Sequence, residues 1–81
     1  MHLEIITPDK TLFEGTAKSV SLPGTEGGFQ ILENHAPIIS TLKGGQIKID
    51  TGSGTELIDI SSGVVEMLKN KVIILAEPAK Q

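Results

Sequence analysis

Apolar and polar residues alternate along this chain in short runs. Glycine, proline, asparagine or aspartate interrupts them about every 8–12 residues, the spacing of an all-β sandwich or barrel. Leu3, Ile5 and Thr7 alternate with His2, Glu4 and Ile6 until Pro8, which lacks a backbone donor and ends the ladder. A second strand is predicted from about Thr11 to Leu22, with Gly15 marking a bulge or bend inside it. Two hairpins follow from turn chemistry. Ile47–Asp50 and Glu56–Ile60 flank the glycine-rich loop Thr51-Gly52-Ser53-Gly54-Thr55, and Val64–Leu68 and Val72–Leu75 flank Lys69-Asn70-Lys71, where Asn70 accepts a left-handed turn conformation. Ser61-Ser62-Gly63 is read as a further short turn between them. No stretch carries the 3.6-residue period of a long amphipathic helix. The expected fold is therefore all-β: a two-sheet, mainly antiparallel β-sandwich of about 8–10 short strands. It forms one domain over residues 1–77, with residues 78–81 as a frayed tail.

Composition narrows the function classes. At 81 residues the chain holds one small core, and without cysteine it has no disulfide framework, thiolate metal site or Cys nucleophile. Seven lysines against ten Asp and Glu give a net charge of −3. The lysines are scattered singly and the only aromatics are Phe13 and Phe29, which argues against a nucleic-acid surface. No run of apolar residues reaches the length of a membrane span, so direct insertion into a bilayer is not expected.

The candidate chemistry is sparse. His35 has no nearby nucleophile or ligand set in the sequence, so it is read as a turn residue that satisfies backbone groups between Asn34 and Ala36-Pro37. Gly24-Thr25-Glu26-Gly27-Gly28 lacks the Lys-Ser/Thr of a phosphate loop and does not open a helix. It is read as a mobile loop between strands that presents Glu26. The remaining carboxylates show no paired motif, and solvated outer-face positions account for them. Lys69 lies close to a hairpin tip, as the modified lysine of lipoyl and biotinyl carrier domains does, but the internal repeat of those domains is missing.

One long collinear pattern is specific. A strand ends in Leu22-Pro23-Gly24; a Glu26-Gly27-Gly28-Phe29 loop follows; then His35-Ala36-Pro37 enters the apolar strand Ile38-Ile39-Ser40-Thr41-Leu42. With the opening Leu3–Pro8 strand, Phe13-Glu14-Gly15 and the closing Val72–Ala76 strand, this resembles the N-terminal β-sandwich domain of the epsilon subunit of F-type ATP synthases. The resemblance implies a non-catalytic central-stalk rotor subunit with no cofactor. It would clamp the foot of the gamma subunit, sit on the polar loops of the c-ring, and lie at the cytoplasmic face of the bacterial inner membrane as a peripheral part of the complex.

Position by position, the resemblance assigns His35, Ala36, Pro37, Ile38 and Ser40 to the gamma interface, with Thr7 and Gln46 as outlying members. It assigns Glu26, Gly27, Gly28 and Phe29 to the ring-facing loop. Many relatives have an acidic residue where this chain has Gly28, which leaves Glu26 as the carboxylate of that loop. Many also continue into a C-terminal helical hairpin that regulates ATP hydrolysis and in some cases binds ATP; these 81 residues are not expected to do either. Titration with ATP to millimolar concentration should leave the thermal unfolding midpoint unchanged. A site filled at 100 times its dissociation constant would add about 2.7 kcal/mol, so saturable stabilisation would overturn this expectation.

Overall fold

The alternating segment His2–Ile6 forms β1, which is flanked on one side by β2 (Thr11–Thr16) in antiparallel register and on the other by β8 (Lys71–Pro78) in parallel. The computed structural model describes residues 1–79. The other strands are β3 (Ser19–Gly24), β4 (Gly27–Leu32), β5 (Ile38–Leu42), β6 (Gly45–Asp50) and β7 (Thr55–Leu68). All described pairings except β1 with β8 are antiparallel. The eight strands fall within the expected range. The all-β, mainly antiparallel expectation is met.

The two layers of the expected sandwich are hydrogen-bonded into one continuous sheet. β7 is the reason. Its first half, Thr55–Ile60, pairs with β6, which in turn pairs with β3 and through it β4. Its second half pairs with β5 and β8, and β8 leads on to β1 and β2. A single bridge between Gly24 and Leu42 joins β3 to β5. Leu3 and Ile5 of β1, Val20 of β3, Ile31 of β4, Ile47 and Ile49 of β6, Val65 and Met67 of β7 and Val72 and Ile74 of β8 all point into the one core and are essentially inaccessible.

Three local expectations change. Ser61-Ser62-Gly63 is not a turn but lies inside β7, because Ser62 pairs with Glu77 and Gly63 with Ala76 across a register shift after Ile60. Its backbone finds partners without reversing direction, and the irregularity bends the strand between layers. Thr11–Leu22 is two strands, broken at Ala17-Lys18, where the chain crosses from β1's layer to that of β6. Ala17 is fully buried at this crossing, its N–H donates to the Met1 carbonyl at 2.9 Å, and the Lys18 N–H donates to the Asp50 carbonyl at 2.7 Å. Gly15 sits in regular register opposite Leu3, and the irregularity falls between Ile5 and Ile6. At the C-terminus Pro78 is still part of β8, opposite Ile60, so the strand runs into the expected tail; residues 80 and 81 lie outside those described.

Both hairpins form as read. Asp50 pairs with Thr55, and the Asp50 carboxylate accepts from the Gly52 N–H at 2.9 Å. Lys69 and Asn70 both have positive φ, 52° and 61°, which makes the β7–β8 connection the two-residue turn whose twist matches its strands.

Candidate functional site

The β3–β4 hairpin reverses in two residues, Thr25 and Glu26, between paired Gly24 and Gly27. Gly24 is needed there because a Cβ would lie 2.6 Å from the Gly27 carbonyl oxygen and 2.7 Å from the Phe29 ring. Phe29 is half-buried against the core, so neither neighbour is free to retreat. Gly24→Ala should cost about 1–3 kcal/mol by overpacking, read by urea denaturation. Gly54→Ala, whose added methyl meets nothing, should be close to neutral.

The hairpin tip is tied down rather than mobile. The Thr25 N–H donates to the Thr41 carbonyl at 3.1 Å, the two threonine hydroxyls hydrogen-bond at 2.7 Å, and the Lys43 N–H donates to the Pro23 carbonyl at 2.8 Å. Glu26 projects from this anchored tip, exposed and without an ion-pair partner among the described residues.

The residues assigned to the other interface do not form one patch. Asn34 holds a positive φ of 61° and its N–H donates to Asn70 Oδ1 at 2.8 Å, fixing the turn before His35. His35 and Ala36 are exposed; the His35 N–H donates to the Leu32 carbonyl at 3.1 Å and Nδ1 donates to the Ala36 carbonyl at 2.8 Å. Its ring thus serves backbone groups, as the sequence reading had it. Pro37 is exposed, but Ile38 packs against the core, and Ser40, two residues on, shares that inward side of β5.

Thr7 is buried. Its hydroxyl donates to the Lys10 carbonyl and accepts from the Lys10 N–H at 3.0 and 3.2 Å, which fastens the β1–β2 turn. Gln46 lies in the other layer, donating to Asp59 at 3.2 Å and lining a shallow groove with Gly28 and Phe29.

The feature that the sequence reading passed over is the outer face of the β5-β7-β8-β1 layer. Strand register lays Ile39, Glu66, Ile73 and Glu4 in one row across it and Thr41, Val64, Leu75 and Ile6 in the next. Ile39 is 73% exposed and Leu75 57%; Val64 and Leu68 are exposed as well. Ile39, Val64, Glu66, Ile73 and Leu75 line one shallow depression. The signal was present as doublets: Ile38-Ile39, Val64-Val65, Met67-Leu68 and Ile73-Ile74-Leu75 each place an apolar residue on both sides of a strand. The opposite outer face is polar by comparison, with Ser21, Gln30, Lys48 and Asp59 beside two exposed leucines, Leu32 and Leu57.

Comparisons with known proteins identify the family to which this sandwich belongs. The profile of the family described as "ATP synthase, Delta/Epsilon chain, beta-sandwich domain" matches residues 1–81. The chain is 44% identical over 80 residues to the ATP synthase epsilon chain of Campylobacter fetus, covering 98% of this chain and 62% of that one. It is 37% identical over 79 residues to the epsilon chain of Caulobacter vibrioides, covering 98% of this chain and 92% of that one. The chain belongs to the ATP synthase delta/epsilon β-sandwich family.

Two solved structures share the fold at low identity. A chain of the Tetrahymena thermophila mitochondrial ATP synthase central stalk and c-ring superposes with a TM-score of 0.80 at 20% identity over 95% of this chain and 63% of that one. A chain of the Euglena gracilis mitochondrial ATP synthase superposes at 0.85 with 18% identity, covering 91% and 48%. Membership over the whole chain sets aside the carrier reading, although Lys69 does stand exposed in the β7–β8 turn. Among the described residues no helix is long and apolar enough to cross a membrane.

Proposed function

We propose that this chain acts as the β-sandwich of an epsilon-type rotor subunit: non-catalytic, bound to the gamma shaft, and resting on the c-ring at the cytoplasmic side of a bacterial inner membrane. The observation that carries the reading is the apolar outer face of the β5-β7-β8-β1 layer. Isolated antiparallel sheets turn polar residues to water on such a face, and a contiguous apolar patch there marks a partner surface. Transmitting torque requires a broad, rigid adhesion that does not slip, and a sheet face meets that need better than a loop. Glu66, central in the patch, gives orientation by pairing with a cation on gamma.

The assigned residues fit this reading unequally. His35, Ala36 and Pro37 enter β5 beside Ile39 and form the rim of the gamma surface. Ser40 and Thr7 act from within, by shaping β5 and the β1–β2 turn. Glu26, on its anchored tip, meets the polar ring loops, with Gly27 and Gly28 allowing close backbone approach and Phe29 fixing the hairpin to the core. Gln46 sits on this second side, near Gly28 and Phe29.

The test is titration of the purified chain with gamma of the same organism, followed by assembly with the ring. A one-to-one complex through the apolar face is expected. A folded chain that does not bind gamma would remove the reading.

A further inference from the structure

A third group of side chains lies at the β1–β2 end of the same outer face, at the edge of the apolar surface described above. Glu4 and Glu14 are direct partners in the antiparallel register of β1 and β2. Two carboxylates in that relation are held with their Cβ atoms about 4.5–5.5 Å apart and repel each other. His2, two residues before Glu4, is on the same side of β1, with Nε2 3.2 Å from Glu4 Oε1 and 3.9 Å from Glu14 Oε2. One donor atom from each of the three lies within 4.8 Å of the others.

We infer that His2, Glu4 and Glu14 form a binding site for a zinc ion. Zinc takes imidazole nitrogen and carboxylate oxygen at about 2.0–2.2 Å in tetrahedral geometry. That places neighbouring donors about 3.3–3.5 Å apart. His2 Nε2 now donates a hydrogen bond to Glu4 Oε1 at 3.2 Å, close to this spacing, so zinc would replace that proton between them. A small rotation of the exposed Glu14 side chain brings in the third donor. The strands hold the three residues in register, so the backbone needs no rearrangement on binding. A neutral imidazole among the ligands favours zinc over magnesium or calcium, which take oxygen donors.

Three protein ligands leave a fourth position for water or a side chain of a partner. The cation now nearest the pair is the Lys71 ammonium, 3.8 Å from Glu4 Oε1 and carried by the residue that pairs with His2. An exposed ion pair of this kind is weak and yields to a divalent ion. The site stands independently of the rotor reading.

Calorimetric titration of zinc chloride into the chain, prepared without a polyhistidine tag at near-neutral pH, should show one saturable site. His2→Gln and Glu14→Gln should each weaken binding about tenfold or more, the upper range for groups that merely support a ligand being about a hundredfold. Lys71→Gln should tighten it by removing the competing charge. His35→Gln, which alters the other histidine, should leave it unchanged, and magnesium chloride should give no binding heat. In the unaltered protein, NMR should show the His2 ring signals moving with zinc while those of His35 stay. Absence of a saturable site, full binding by Glu14→Gln, or loss of binding in His35→Gln would each overturn the inference.

Discussion

Ile39→Asp should weaken binding to gamma by about a hundredfold while leaving the fold intact. Ile39 is the most exposed large apolar residue among those described and lies in the hollow formed with Val64, Ile73 and Leu75. In the free chain its side chain faces water, so an aspartate there disturbs no packing. In the complex the new carboxylate is desolvated beside Glu66, and central positions of that kind cost about 2–4 kcal/mol when spoiled. At about 1.4 kcal/mol per tenfold, the loss falls between about thirtyfold and several hundredfold.

Leu57→Asp is the matched control, since Leu57 is 55% exposed on the opposite outer face. It should bind gamma within about twofold of the parent chain, as expected for a substitution outside the interface. Titration with both folded variants checks the assignment. Equal binding by Ile39→Asp and the parent would move gamma off this face. Ser40 is a poorer probe, because a large charged side chain on the inward side of β5 mixes binding with stability.

Ile74→Ala should destabilise the chain by about 2–5 kcal/mol. Ile74 is fully buried on β8, between Ile5 of β1 and Val65 of β7, both of them inaccessible. Truncation removes buried methyl groups and leaves a cavity that close-packed neighbours fill only in part. A domain of this length has a total stability of roughly 4–12 kcal/mol, so one truncation takes a large share of it. At about 4–8 °C per kcal/mol the thermal midpoint should drop by about 10 °C or more. Leu75→Ala, one residue away and 57% exposed, should stay within about 0.5 kcal/mol. Comparable losses for the two would contradict the alternation of β8.

How much of this was legible beforehand differs by feature. The two hairpins were readable because their turns are written locally: Asp50 and the glycines after it in one, Lys69 and Asn70 in the other. The turn role of His35 was readable for the same reason, since its partners Leu32 and Ala36 are close in sequence. The Ser61-Ser62-Gly63 segment misled because its composition is that of a turn, while its conformation depends on β8, whose Ala76 and Glu77 supply partners across the ladder. The break at Ala17-Lys18 likewise answers to Met1 and Asp50, one on each side of the crossing.

The candidate surfaces divide in the same way. Glu26 and its glycines were visible as a loop, but the hydrogen bonds from Thr25 to Thr41 that anchor it join residues 16 positions apart. Thr7 and Gln46 carried no mark of where they would lie; burial in the Lys10 turn and pairing with Asp59 placed them apart.

By itself the sequence determined the all-β class, the strand spacing, two of the turns and the family, because these rest on side-chain period, turn chemistry and a collinear pattern of residues. Tertiary structure alone decided which apolar residues would meet on the water side of the sheet. The doublets show that one member of each faces outward, but only the register of β5, β7, β8 and β1 brings Ile39, Val64, Ile73 and Leu75 onto one face. The same register sets Glu4 opposite Glu14 beside His2. Pairing between strands distant in the chain is settled by burial of the whole core at once, and no local stretch of sequence contains that information.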